Sequence, residues 1–125
     1  MTVAGLSTYD PDNVFARILR GELPAKTVFE DENVVAFADI SPKAPVHVLV
    51  IPRAAYVSFA DFVKRASGTE VVDFFRTVGL VATQLGLDDP GYRILSNIGP
   101  HGGQEVAHFH VHLFGGHPLG AMLPG

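Results

Sequence analysis

The stretch His108-Phe109-His110-Val111-His112-Leu113-Phe114 indicates the fold more strongly than any other part of the sequence. Side chains alternate across a β-strand, so the histidines share one face, while Phe109, Val111 and Leu113 share the other. The apolar face of such a strand packs on a core, which leaves the polar face free to form a site. We therefore predict a last strand over residues 106–114, with a functional site on its histidine face.

The sequence before this strand predicts two helices and four further strands. Asp12 precedes apolar residues at helical spacing, which predicts a short helix, capped at Asp12, that ends at Gly21. Ser67 and Glu70 form a capping-box pattern ahead of a long helix over residues 71–85. The predicted strands cover residues 25–29, 34–38, 46–51 and 92–96, and a glycine-rich loop covers residues 97–103. This order of elements predicts an α+β fold on an antiparallel sheet, with one domain over residues 1–125.

The composition excludes several classes of function. The chain contains no cysteine, which rules out disulfides, zinc fingers and thiol catalysis. Its formal net charge of −4 argues against a protein that coats a nucleic-acid duplex, because duplex binding needs many Lys and Arg side chains. No apolar run has the length of a membrane span and the first residues lack a signal pattern, so we expect a cytoplasmic protein with no membrane partner.

Two chemical interpretations of the histidine face remain open on the residues alone. Histidines two positions apart on a strand, with His47 as a third ligand, form a set that can bind zinc. Zinc sites generally add further acids or cysteines, however, and Glu105 is the only acid nearby in the sequence. Alternatively, His110 is a nucleophile towards phosphorus, because a neutral imidazole attacks readily when its other nitrogen is held as a donor. The flanking imidazoles, His108 and His112, then donate to the phosphate oxygens.

The same stretch matches the His-φ-His-φ-His-φ-φ signature of the histidine-triad (HIT) superfamily, in which φ is an apolar residue. Gly102-Gly103-Gln104-Glu105-Val106 before it and Gly115-Gly116 after it resemble the nucleotide-binding, phosphoramidase branch of that superfamily. The blocks at residues 13–26, 37–42, 44–47 and 51–53 resemble the same branch in order and spacing. The resemblance covers nearly the whole chain. It implies a HIT-like fold with about five antiparallel strands, one long and one short helix, and a homodimer in which two sheets join.

The resemblance implies a role for each residue that matches the family's catalytic motif. His110 is similar in position to the nucleophile that forms a covalent nucleotidyl-histidine, and His108 and His112 to the flanking histidines of the triad. The backbone carbonyl of His108 is expected to hold the tautomer of His110, and His47 to support the site from the neighbouring strand. Glu105 is expected to deliver the proton to the leaving group, at a position where some members carry a small hydroxyl residue.

Further positions resemble the family's nucleotide contacts. Asp39 matches the acid that binds the ribose hydroxyls, although the same residue is also suited to satisfy backbone N–H groups of a turn. Asn97, Gly103 and Gln104 match the phosphate contacts. The apolar slot for the purine corresponds to Val14, Phe15, Ile18, Phe37, Ile40 and Leu49.

The resemblance thus implies a purine nucleotide hydrolase or nucleotidyl transferase that acts at the α-phosphate without a metal or other cofactor. The implied substrate is a nucleoside phosphoramidate or related nucleotide conjugate, and the product is a nucleoside monophosphate such as AMP. Three alternatives stay open. They are a dinucleoside polyphosphate hydrolase of the same superfamily, a metal-dependent hydrolase, and a non-catalytic nucleotide-binding or scaffold protein.

Overall fold

An antiparallel sheet forms the centre of the computed structural model, which describes residues 3–124. In chain order the elements are α1 (Val14–Leu19), β1 (Thr27–Glu30), β2 (Val34–Ala38), β3 (Val46–Pro52), α2 (Phe59–Arg65), α3 (Gly68–Gln84), β4 (Arg93–Leu95), α4 (Gly99–Gly102) and β5 (Val111–Gly115). The strands pair in the order β1-β2-β3-β5-β4, which confirms the predicted α+β fold on an antiparallel sheet. Among these residues, no helix is both long and apolar enough to cross a membrane.

The middle strand, β3, brings two distant parts of the sequence together. It is rich in β-branched residues, which favour strands, and it is buried from His47 to Pro52. Its register with β5 places Leu49 opposite His112 and His47 opposite Phe114. The fourth histidine predicted at the site therefore lies beside the histidine stretch, although 60 or more residues separate the two in the sequence.

Apolar side chains pack on both faces of the sheet, because alternate residues of β2 and β3 point to opposite sides. On one face, α2 and α3 form the larger core with the sheet, and this core includes Phe62, Phe74, Val78, Val81, Val50, Val111 and Leu113. On the opposite face, Phe15 of α1 packs with Val35, Phe37, Leu49 and Ile51. Helix α1 has only six residues, so it covers only part of this second face. The part left uncovered borders the histidines.

The two predicted helices are present, and each begins after a residue whose side chain caps it. Ser67 and Glu70 form the predicted capping box at the start of α3. Helix α1 is capped by Asn13, whose side chain accepts a hydrogen bond from the backbone N–H of Ala16 at 2.9 Å. The prediction of Asp12 as this cap is wrong by one position. Both side chains are good caps, and only the backbone geometry decides between them.

Short elements and the last strand depart from the prediction. Helices α2 and α4 were not predicted, because seven and four residues are too few for a helical repeat of apolar residues to be recognised. The last strand begins at Val111 rather than at residue 106. Its partner β3 ends at Pro52, which has no backbone N–H to continue the ladder. Before Val111, the backbone N–H of Phe109 donates instead to the carbonyl of Tyr56.

Candidate active site

A pocket of about 750 Å³ opens on the second face of the sheet, beside α1. Its volume suits a small-molecule ligand. Most of the site residues predicted from the sequence line it, namely His47, His110, His112, Glu105, Asp39, Asn97, Gly103, Val14, Phe15, Ile18, Phe37, Ile40 and Leu49. His108 and Gln104 do not line it, and both are buried.

The predicted alternation of side chains holds along the histidine stretch, even where the strand ladder is absent. Phe109, Val111 and Leu113 are buried in the larger core. His110 and His112 line the pocket on the opposite face. The separation of the two faces therefore begins at Phe109 and His110, two residues before β5.

The imidazole of His110 has a defined tautomer. Its Nδ1 lies 2.7 Å from the backbone carbonyl oxygen of His108, and a carbonyl can only accept, so Nδ1 carries the proton. The Nε2 lone pair is then free. Burial lowers the pKa of His110 below its ordinary value of 6.5, so the ring is neutral at neutral pH. The ring of Phe15 contacts it edge-on, with 4.9 Å between centroids, and fixes its plane.

The imidazole of His108 is held at both nitrogens and has no exposed surface. Its Nε2 lies 2.7 Å from the carbonyl oxygen of Pro52 and therefore donates, while its Nδ1 accepts from the hydroxyl of Tyr9 at 2.6 Å. Burial lowers its pKa to about 4. A buried ring with both nitrogens engaged cannot donate to a phosphate in the pocket. The sequence predicted that both flanking imidazoles, His108 and His112, donate to phosphate oxygens. Of the two, only His112 is placed to do so.

A chain of hydrogen bonds orders the remaining two imidazoles. The backbone N–H of Lys43 donates to Nδ1 of His47 at 3.1 Å, so in the neutral ring Nε2 carries the proton. That Nε2 lies 2.9 Å from Nδ1 of His112 and donates to it, which leaves the proton of His112 on its own Nε2. Burial lowers the pKa of His112 to about 4, together with the repulsion that arises when His112 and either His110 or His47 are both protonated. Burial likewise lowers the pKa of His47, against the opposing effect of Asp39.

Asp39, His47 and His112 form a cluster that has the donor set of a metal site. One ligand atom of each lies within 4.8 Å of the others. One carboxylate oxygen and two imidazole nitrogens are ligands typical of catalytic zinc. In the arrangement observed, however, the proton on Nε2 of His47 points at Nδ1 of His112. A cation at this point requires that hydrogen bond to break.

The carboxylate of Asp39 divides its contacts between a turn and the pocket. One oxygen accepts from the backbone N–H of Ser41 at 2.8 Å, as the turn interpretation predicts. The other oxygen lies 3.5 Å from Nε2 of His47. Asp39 also lines the pocket, so the turn fixes its orientation while lone pairs stay available to a ligand.

Gln104 shapes the glycine-rich loop from behind and does not contact the pocket. Its side-chain oxygen accepts from the N–H of Gly99 at 3.1 Å, and its amide donates to the carbonyls of Val57 and Val106 at 2.6 and 3.0 Å. With 1% of its surface exposed, its side chain cannot bind phosphate. The sequence placed it correctly in the loop but could not show which way it points. Its neighbour Gly103 lines the pocket instead.

The apolar part of the pocket lies between α1 and the sheet. The rings of Phe15 and Phe37 pack edge to face at 5.4 Å between centroids. Ile40 also lines the pocket and is 96% exposed. Glu105 is exposed at another part of the lining. The pocket therefore combines an apolar slot with a row of oriented imidazoles.

Comparison with known proteins identifies the family of this fold. Residues 20–119 match the HIT domain family. The chain belongs to the HIT family. This HIT protein is 42% identical over 113 residues to the purine nucleoside phosphoramidase of Escherichia coli (strain K12), covering 90% of this chain and 93% of that one. It is also 41% identical over 109 residues to a 14 kDa zinc-binding protein of Brassica juncea, covering 86% of this chain and 96% of that one.

A solved structure extends the similarity to three dimensions. The crystal structure of a HIT family hydrolase from Legionella pneumophila superimposes on this HIT protein with a TM-score of 0.82. The two are 39% identical, and the match covers 90% of this chain and 98% of that chain. The HIT-like fold implied by the sequence resemblance is therefore confirmed.

Proposed function

We propose that this protein is a purine nucleotide hydrolase or nucleotidyl transferase that acts at the α-phosphate through a covalent nucleotidyl-His110. One observation carries the proposal: Nδ1 of His110 donates to the carbonyl of His108 at 2.7 Å, which leaves a neutral Nε2 free at the pocket. A nucleophile needs this combination of neutral ring and fixed tautomer. The similarity to a purine nucleoside phosphoramidase supports the same reaction.

The proposed reaction has two displacements at phosphorus. In the first, the Nε2 lone pair of His110 forms a bond to the α-phosphorus, and the phosphorus–nitrogen bond to the leaving amine breaks. Glu105 delivers, directly or through water, the proton that the amine takes. In the second, water attacks phosphorus and gives a proton to the Glu105 carboxylate, directly or through a second water, the bond to Nε2 breaks, and the nucleoside monophosphate leaves. The proton on Nδ1 stays with the His108 carbonyl throughout, so this hydrogen bond stabilises the cationic nucleotidyl-imidazole.

The remaining pocket residues bind the nucleotide in this proposal. The purine occupies the apolar slot between α1 and the sheet, and Asp39 accepts from the ribose hydroxyls. His112 points its Nε2–H at a non-bridging phosphate oxygen, since its Nδ1 is already taken by His47. Asn97 and the backbone of Gly103 complete the phosphate contacts. Catalysis then consists mostly of positioning and charge stabilisation.

A homodimer is part of the proposal. β4 is an edge strand, and such strands offer unpaired N–H and C=O groups to a partner. Apolar side chains are exposed both on β4 and on α3, with Ile94 and Val72 at 46% and 52% exposure. Light scattering should therefore give twice the mass of 13.4 kDa, and Val72→Lys should shift the mass towards the monomer.

A metal-dependent hydrolase is the second candidate. The cluster of Asp39, His47 and His112 favours it, and so does the similarity to a zinc-binding protein. A cation there would polarise a phosphate oxygen or a bound water. The hydrogen bond between His47 and His112 favours the metal-free mechanism.

Release of AMP from adenosine 5′-phosphoramidate distinguishes the candidates. We expect chelator-resistant release by the wild type, a loss of at least about 1,000-fold in His110→Ala, and little change in the control His117→Ala, an exposed histidine outside the pocket. Mass spectrometry of the quenched wild-type reaction should detect a nucleotidyl adduct on His110. Release that stops with chelator would support the metal site. Binding of AMP without release would support a binding module or a different substrate, and dinucleoside polyphosphates would be assayed next.

A further inference from the structure

The segment before α1 contacts the histidine stretch and the glycine-rich loop. The backbone N–H of Val3 donates to the carbonyl of Gln104 at 2.9 Å, and the hydroxyl of Ser58 donates to the carbonyl of Gly5 at 2.5 Å. Tyr9 lies at the end of this segment and is partly buried. Its ring stands against the imidazole of His108, with 5.6 Å between centroids and 67° between planes.

The hydroxyl of Tyr9 has one consistent role in this contact. Nε2 of His108 donates to the carbonyl of Pro52, so the neutral ring has only Nδ1 left as an acceptor. The oxygen of Tyr9 lies 2.6 Å from that nitrogen and must donate its proton to it. Burial lowers the pKa of His108 to about 4, so the ring is neutral and this arrangement is present throughout the neutral pH range.

The ladder of the sheet does not reach the backbone at His108, so other contacts hold it. The ladder between β3 and β5 begins at Val111, three residues later. The carbonyl of His108 nevertheless fixes the proton on Nδ1 of His110. Two contacts hold the peptide group that carries this carbonyl. The N–H of the same group, on Phe109, donates to the carbonyl of Tyr56 at 2.7 Å, and the His108 side chain is held by Pro52 on one side and Tyr9 on the other.

We propose that Tyr9 is a positioning residue for His110, and that it acts by anchoring His108 so that the His108 carbonyl stays on Nδ1 of His110. The inference deepens the proposed function and rests on it for the effect on rate. Tyr9 does not line the pocket, so it does not bind substrate. Loss of its hydroxyl should therefore reduce kcat and leave KM nearly unchanged.

The test compares Tyr9→Phe with Tyr56→Phe. Both variants lose one tyrosine hydroxyl with a bond of 2.6 Å, but the hydroxyl of Tyr56 donates to Glu70, which does not line the pocket. With adenosine 5′-phosphoramidate we expect kcat to fall about ten-fold in Tyr9→Phe, as is typical when a supporting hydrogen bond is removed. KM should stay within about two-fold, and Tyr56→Phe should keep both constants within about two-fold of the wild type.

Nitrogen-15 NMR of the imidazoles tests the mechanism without any turnover. In the wild type, His110 should be protonated on Nδ1 and His108 on Nε2. In Tyr9→Phe, His110 should show a mixture of tautomers, while Tyr56→Phe should give the wild-type spectrum. A wild-type spectrum with the His108 proton on Nδ1 overturns the proposal, and so does a pure Nδ1–H tautomer of His110 in Tyr9→Phe. An equal fall of kcat in both variants also overturns it. If the wild type releases no AMP, the proposed function fails, and the spectra still decide the role of Tyr9.

Discussion

Burial of a neutral His108 makes the stability of this protein depend on pH well above the range in which carboxylates titrate. The pKa of His108 is 6.5 in an exposed chain and about 4 in the folded protein. Between these values the unfolded chain binds a proton that the folded protein excludes. The stabilisation is therefore complete above pH 6.5 and is lost progressively as the pH falls towards 4.

The magnitude follows from the linkage between protonation and folding. Each pH unit between the two pKa values costs about 1.4 kcal/mol of unfolding free energy. Lowering the pH from 7 to 5 thus costs about 2 kcal/mol through His108 alone. His108→Gln keeps a side-chain N–H for the carbonyl of Pro52 and cannot titrate. This variant should start less stable at pH 7 because it loses the bond to Tyr9, but its stability should fall less steeply.

Urea unfolding at a series of pH values measures how the unfolding free energy of the wild type and of His108→Gln depends on pH. Far-ultraviolet circular dichroism is the signal, since the chain has no tryptophan for fluorescence. The protein concentration must be the same in every series, because dimer formation would otherwise change the apparent stability. Between pH 7 and 5, the wild type should lose about 2 kcal/mol more than His108→Gln. The other histidines titrate in both proteins, so their contributions cancel. Equal losses in the two proteins would refute the burial of a neutral His108.

Three further substitutions test other parts of the structure. Asp39→Asn should raise KM for the phosphoramidate by about ten-fold or more with a smaller effect on kcat, because a charged acceptor for the ribose hydroxyls is lost; equal KM values in steady-state kinetics would remove Asp39 from the ribose site. Gln104→Leu should cost about 2–4 kcal/mol of unfolding free energy in urea, because two buried backbone groups and one partly buried carbonyl lose their partners. Ser67→Ala should cost about 1 kcal/mol through loss of the capping box, and an unchanged urea midpoint would contradict that role.

Most of the fold could be predicted because the dominant signals in the sequence are periodic. Alternation assigns Phe109, Val111 and Leu113 to the core, and the structure places them there. The capping box at Ser67 is local, so it could be recognised from the residue types alone. The length of the last strand could not be predicted, because it depends on where its partner strand β3 ends, at Pro52. That pairing is a property of two strands rather than of either one.

In the site too, sequence patterns predicted which positions take part, whereas contacts between distant residues determine where their side chains point. Resemblance to the HIT superfamily indicated which positions surround the pocket, from Val14 in α1 to His112 in β5. It did not indicate that Gln104 and His108 point away from it. Tyr9 was missed altogether, because 99 residues separate it from His108 and nothing in its local sequence indicates a partner. A contact of this kind is visible only when the chain is folded.

The imidazoles of His47, His108 and His110 each form a hydrogen bond with the main chain. Lys43 contributes its N–H, and Pro52 and His108 contribute their carbonyls. Main-chain groups therefore set the tautomers of these three rings, while the charge of Lys43 adds only to the lowering of the pKa of His47 by burial. Lys43→Ala would keep the backbone N–H and with it the tautomer of His47. Proline at position 43 would remove this N–H, so His47 could carry its proton on Nδ1 instead of Nε2. Nε2 of His47 would then accept from Nδ1 of His112. His112 would in turn face a phosphate in the pocket with the lone pair of its Nε2 rather than with an N–H. A substitution at position 43 can thus change the protonation of the site through the backbone alone, which no comparison of side chains would reveal.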